Sequence, residues 1–264
     1  MKKLIIYLAA FCAAAALMLA LLVGTACIPR NMIERNMRAS AEYLASDIVF
    51  PLAVEGVEGS RIDRYADAIL LNIAWHYDAA HPLRSIMCSA YYYTPYQNEN
   101  NNLLDAVAQD LPANQQYLRY WHGSLVLVRP LLAVLTLPQI YMCNAILLVA
   151  LTIWLLALLA RKKAYAPAAG LLAGLVAAAF WFVPLSLEYT WVCLLTPILC
   201  LLVLRLAARA RWDGLGVLFL IGGMLTNYLD FLTAEMLTLL VPLLLTLWLR
   251  RAETEASHVK KAWT

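Results

Sequence analysis

The chain has 264 residues, of which 63% are hydrophobic and only 14% charged, with a formal net charge of +3. Its mean hydropathy is +0.69. Soluble domains run nearer ~45–50% apolar and ~25% charged, so this composition excludes an ordinary soluble enzyme and reads as a polytopic membrane protein with membrane lipid as its solvent. No basic face or stripe exceeds what membrane topology explains, which excludes a nucleic-acid partner.

Residues 1–25 read as a first span. Lys2 and Lys3 precede an apolar run from Leu4 to Val23, about 30 Å of helix and enough to cross the hydrocarbon core. The run is longer than the apolar core of a signal peptide, so an uncleaved span is favoured over a cleaved leader.

Residues 26–139 hold most of the acids, the cluster "YQNENNN" and three of the four histidines. They read as a long polar loop carrying surface helices. From 140 to 251 the apolar runs return, with spans expected near 140–160, 166–184, 190–208, 214–229 and 233–249. The breaks between them are "RKK", "LEYT", "RARWD" and "DFLT". Residues 252–264 read as a short solvated tail.

Lysine and arginine collect in cytoplasmic loops. Applied here, the rule puts Lys2, Lys3, residues 161–163, Arg205, Arg209, Arg211, Arg250, Arg251, Lys260 and Lys261 inside. Both termini are then cytoplasmic and the 26–139 loop faces outward. The expected fold is an all-α integral membrane bundle of about six spans, with a long extracytoplasmic loop after the first and a plasma-membrane location.

Within that loop, "YLRYWHGSLVLVRPLL" (117–132) sets two arginines and a histidine at the start of an apolar run. Read as a helix over 123–138 and the residues just before it, it places Arg119, His122, Val126 and Arg129 within about 80° of one another at 100° per residue. Arginine forks match phosphate oxygens, so Arg119, Arg129 and His122 are candidate ligands of a lipid phosphate. Snorkelling to ordinary headgroups is the plainer explanation.

In "GSRIDRYADAILLNIAW" (59–75), Asp63 and Asp67 are four apart. On one helix face such a pair costs about 0.2–0.5 kcal/mol, which a metal ion or a hydroxyl-bearing substrate would relieve. The rival reading makes Ser60 and Asp63 a capping box and pairs Arg64 with Asp67. Asn227 and Asp230 in "MLTNYLDFLT", and Glu188 in the "LEYT" break, are expected at the outer face and are candidate substrate contacts. The six cysteines form no metal-ligand pattern, and Cys27 and Cys88 alone are expected outside the membrane, free or paired.

Taken together, the inside amino terminus, single span, long outer loop with helical acids, surface helix and alternating spans resemble the GT-C class of membrane glycosyltransferases. "RIDRYADAILLNIA", "RYWHGSLVLVRPLL" and "GMLTNYLDFLTAEMLTLLVPL" are also similar to uncharacterised multi-pass proteins of Gram-positive bacteria. The resemblance implies transfer of a sugar from a polyprenyl-phosphate donor to a cell-envelope acceptor. In that reading Asp67 or Asp63, less so Asp47, acts as base or holds a divalent metal ion, and Arg129 and Arg119 meet the phosphate. GT-C enzymes are longer, so a partner subunit supplying further spans belongs to the same expectation. A non-catalytic scaffold of an envelope glycan system and a lipid or solute transporter remain as alternatives.

Overall fold

A computed structural model describes residues 1–229 and 235–262, with side chains through residue 254 except that of Glu235. Regular structure among the described residues is almost entirely helical, as composition and periodicity require. Its one piece of sheet among the described residues is a two-residue antiparallel ribbon, β1 (Ala90–Tyr91) on β2 (Gln115–Gln116).

Three helices are long and apolar enough to cross a membrane. They are α1 (Lys2–Ala26), α7 (Leu137–Arg161) and α9 (Leu187–Ala208). Twenty-five residues give α1 and α7 about 37 Å of axis. Only 11% of the α1 window and 28% of the α7 window are buried by protein, against 50% for α9, so α9 is the central helix. Three further helices run beside them: α8 (Tyr165–Ala177), α10 (Leu215–Leu229) and α11 (Glu235–Ala262). The region from 252 on is helical as far as Ala262, so the tail is not a loose end.

Between α1 and α7 the chain folds into a helical cap. It comprises α2 (Arg30–Ala45), α3 (Arg64–His76), α4 (Pro82–Cys88), β1, α5 (Glu99–Ala108), β2 and α6 (Leu125–Leu132). Helix α2 buries Ile33, Met37, Ser40, Ala41 and Leu44, a stripe at helical spacing that faces α3 and α5. Helix α3 is buried without interruption from Asp67 to Trp75, so it forms the middle of the cap.

The cap seats on the long apolar helices by finishing their ends. A helix leaves its first amides and last carbonyls without internal partners, and here the cap supplies them. Ser40 Oγ accepts from Leu137 N, at the start of α7, at 2.9 Å. Asp67 accepts from Leu187 N, at the start of α9. Gly123 N donates to Tyr228 O, near the end of α10, at 3.0 Å. A Cβ at position 123 would run into the Tyr228 ring and carbonyl, so this approach needs glycine.

The end of α1 is closed by Arg129. This side chain is fully buried. Its Nη1 donates to Thr25 O and Ala26 O, both at 3.1 Å, and its Nη2 to Tyr77 O at 3.0 Å. A cation at a helix C-terminus also meets the negative end of the helix dipole.

Two expectations are corrected here. The 117–138 segment is not one continuous helix with a basic stripe. His122 turns the backbone into the left-handed region at φ 53°, α6 begins only at Leu125, and a Thr136/Gln139 capping box starts α7 at Leu137. Arg119, His122 and Arg129 therefore take three separate environments. "LEYT" is not a break between spans either: Leu187 opens α9, and Glu188 stands in its first turn.

Arg129→Ala should remove the donor from three buried carbonyls, at about 1–3 kcal/mol for each group left unsatisfied. We expect a large drop in the thermal unfolding temperature in nanodiscs. Arg129→Lys, with one compact ammonium, should recover only part of it.

Candidate functional site

Helix α3 carries both aspartates that the sequence singles out, and the fold sends them to opposite fates. Asp63 is the N-cap of α3, its Oδ1 accepting from Ala66 N at 3.0 Å. Ser60 is not the cap. Its hydroxyl instead accepts from Val54 N at 2.9 Å and donates to Val57 O at 2.7 Å. With Asp63 just outside the helix and Asp67 one turn in, the two do not share an exposed face. Arg64 reaches back to Asp47 at 3.1 Å and to Tyr43 Oη at 3.1 Å, leaving Asp67 to other partners.

Asp67 is fully buried. Leu187 N donates to its Oδ1 at 2.9 Å and its Oδ2 at 3.1 Å, Ser186 Oγ lies 3.4 Å from Oδ1, and the Tyr141 hydroxyl hydrogen-bonds Oδ2. Burial raises its carboxyl to about 8. The bonds from Tyr141 and Leu187 oppose that rise, and the charges of Asp63 and Glu188 add to it. This carboxyl joins α3 to α7 and α9.

Of the basic residues, Arg129 spends its guanidinium on the end of α1, and Arg119 is exposed with Cζ 5.3 Å over the Tyr120 ring. His122 is 3% exposed, and its Nε2–H donates to Tyr117 O at 2.8 Å. Burial lowers its pKa, so it is a neutral imidazole at pH 7. Asn227 is exposed on α10. Asp230 lies outside the described residues.

The fold does bring together Asp63 and Glu188, far apart in sequence. They line one cleft of about 170 Å³ with Tyr65, Ala66, Ile69, Tyr117 and Tyr120. Glu188 is 8% exposed, held by the first turn of α9. Tyr117 and Tyr120 meet nearly at right angles, 88° between planes and 5.5 Å between centroids. Burial pushes the Tyr117 phenol up to about 12, and it raises Tyr65 with help from Glu99 and Asp63. Tyr117 and Tyr65 are therefore neutral phenols, with hydroxyls able to donate and accept. A larger hollow of about 470 Å³ lies beside the β-ribbon, lined by Ala90, Ala113, Asn114, Gln115 and Gln116. It contains no ionisable side chain, so the smaller cleft is the candidate site.

The residues do not fit the divalent metal ion that a GT-C reading suggests. Among the described residues no three His, Cys, Asp or Glu side chains gather as ligands. His76 is engaged with Asn72 O and Leu111 O, and His81 with Asp78. Cys27 and Cys88 are both free thiols.

Sequence analysis singles out none of Tyr65, Tyr117, Tyr120 and Tyr141 as site residues. The signal for Tyr141 was a phenol inside an apolar span, where a buried hydroxyl demands a partner.

No family model matches the chain, and no curated protein or solved structure shows significant similarity to it.

The folded pKa of Asp67 stands above its unfolded value of 3.8. Its contribution to stability is therefore complete below about pH 4 and lost as pH rises through about 8. The unfolding temperature should fall from pH 5 to 8.5, and Asp67→Asn, which cannot ionise, should flatten that slope. Asn keeps an acceptor for Leu187 N and should cost no more than about 1 kcal/mol. Asp67→Ala strands a buried amide and a phenol and should cost about 3 kcal/mol or more.

Proposed function

We propose that this chain is a multi-pass plasma-membrane protein whose outward-facing cap binds a hydroxyl-rich group of the cell-envelope glycan system in the Asp63/Glu188 cleft. The carrying observation is the cleft itself. Two carboxylates accept hydroxyl hydrogen bonds, and tyrosine rings offer flat apolar faces with polar tips.

Several contacts support the membrane arrangement. The starts of α7 and α9 both meet the cap, so residues 162–186 return across the bundle. The end of α10 also meets the cap. At the far end, Lys3 lies 3.4 Å from Asp213 and Arg250 stacks 4.9 Å over Trp212. The basic clusters at residues 2–3, 161–163, 205–211 and 250–251 thus belong to the end away from the cap, as the positive-inside rule asks of a cytoplasmic face. On this reading α8, α10 and α11 complete six crossings and both termini are cytoplasmic. Exposed Leu83, Met87, Trp121, Leu127 and Val134 would meet lipid at the outer interface.

The reading favoured is that of a binding subunit. The two strongest candidates for chemistry, Asp67 and Arg129, are both committed to helix ends. A second reading, glycosyl transfer from a polyprenyl-phosphate-linked sugar, has one observation in its favour. Arg119 lies over the ring of Tyr120, one of the cleft's lining residues, and brings a positive charge to it. Asp63 would then be the base toward the acceptor hydroxyl and Arg119 the phosphate contact; no metal step is needed.

Purified protein in nanodiscs should bind neutral envelope oligosaccharides by calorimetry. Asp63→Asn and Glu188→Gln should each weaken binding tenfold or more while leaving the unfolding temperature near that of the wild type. Wild-type affinity in both variants would remove the cleft from the function. Incubation with a polyprenyl-phosphate sugar and acceptor separates the readings: turnover abolished by Asp63→Asn establishes transfer, and an unconsumed donor leaves the binding subunit.

A further inference from the structure

We infer that the hairpin joining α2 to α3, residues 46–63, is a membrane contact of the cap, with its apolar tip set into the outer lipid surface beside the bundle. This rests on the membrane arrangement proposed above and is independent of what the cleft binds.

The hairpin is a built element. Ala53 N donates to Ser60 O and Ile62 N to Pro51 O, both at 2.9 Å, and Leu52 bridges Arg61. At the tip, Val57 N donates to Val54 O at 3.1 Å, with Gly56 at φ 75°. The buried Ser60 hydroxyl ties the backbone of Val54 and Val57 from inside. The outer surface is nonetheless apolar: Ile48 is 62% exposed, Val54 47% and Val57 48%, with Phe50 beside them at 38%. Apolar side chains this dense on a folded surface mark a lipid or protein contact. A turn whose backbone groups are already bonded can also leave water without stranding them.

The path of the chain puts lipid there. Both helices that flank the hairpin lie across the ends of the long apolar helices. Helix α2 starts just beyond the end of α1 and meets the start of α7 through Ser40. Helix α3 starts at the head of α9, where Ser186 Oγ donates to Asp63 O at 3.2 Å. It finishes at the tail of α1, where Arg129 joins Tyr77 O to Thr25 O and Ala26 O. The hairpin carries the chain from one helix to the other at the level of those ends. Its Val49 O accepts from Arg64 N at 3.0 Å and Tyr65 N at 3.2 Å, within one turn of Asp67. Trp181, half exposed in the turn Phe180–Leu185 that leads into α9, supplies the aromatic ring common at a membrane–water boundary.

Charge sets the depth and the lipid. Glu58 pairs with Arg61 and Asp47 with Arg64, while Glu55 occupies the turn itself. A carboxylate there keeps the tip at headgroup level. Residues 46–63 carry no excess of basic side chains, so zwitterionic lipid suffices. Phe50 also stacks on Tyr65, a lining residue of the cleft, with 5.9 Å between centroids and 15° between planes. The immersed hairpin thereby holds the cleft against the membrane surface.

The test uses the full chain in phosphatidylcholine nanodiscs, with the photoreactive residue p-benzoylphenylalanine in place of Val54 or, in a second preparation, Val57. Mass spectrometry after irradiation reads covalent phospholipid adducts. The same probe in place of Val149, 44% exposed in the middle of α7, sets the yield for a lipid-facing side chain. Both hairpin probes should give lipid adducts within about threefold of that yield, at an unchanged unfolding temperature. Val57 carries the test should the Val54 preparation fail to fold. Yields at the hairpin tenfold or more below that at Val149 overturn the inference and leave the membrane arrangement standing, as does crosslinking to a second protein chain in place of lipid. Absence of adducts at Val149 as well as at the hairpin removes both.

Discussion

A helix that ends under a folded cap cannot leave its terminal amides and carbonyls to water. Four helix ends meet the cap, and each is finished by a group from elsewhere in the chain. Asp67 accepts from the amide end of α9, and the Arg129 guanidinium meets the carbonyl end of α1, where a cation faces the helix pole of opposite sign. Ser40 and Gly123 do the same for α7 and α10 without charge. Asn36 and Asn100 continue the pattern inside the cap, donating to Leu132 O at the end of α6 and Leu44 O near the end of α2. The register of the cap on the apolar helices follows from these bonds, because a shift of one residue would strand every one of them.

That constraint decides which polar residues remain for a ligand. An acid and an arginine near a membrane surface invite a catalytic reading, but side chains at 0% exposure with protein partners already bound have little left to offer a substrate. The same junction builds the cleft. Once Asp67 fixes α3 against the start of α9, Asp63 and Glu188 both line one hollow. The buried structural acid and the half-buried cleft acid are one helical turn apart, and the first positions the second.

Much of the architecture was legible without coordinates. The apolar runs at 4–23, 140–160 and 190–208 correspond to α1, α7 and α9 within a few residues, because unbroken hydropathy over some twenty residues has few other uses. The polar stretch after α1 was legible as a loop carrying surface helices, though not as the packed cap those helices form, and the basic clusters marked one end of the bundle. Less legible was the path between Tyr117 and Leu137. A helical wheel assumes continuous helix, while a left-handed turn at His122 and a capping box at Thr136 divide the segment into three. The first turn of α9 was missed for a related reason: Glu188 and Tyr189 look like a loop by composition, and only the tertiary cap from Asp67 makes them helical.

The sequence by itself determined that the chain is helical, with apolar runs long enough to cross a membrane and a polar insertion, and it named Asp63, Asp67, Arg129 and Glu188 among its polar residues of interest, with Arg119, His122, Asn227 and Asp230, since charge in so apolar a chain must have a use. Only the tertiary structure decided what those uses are. Whether a carboxylate faces a helix end or an open cleft depends on contacts between residues more than a hundred positions apart, as Asp67 and Leu187 are. Local periodicity and composition carry no information at that range.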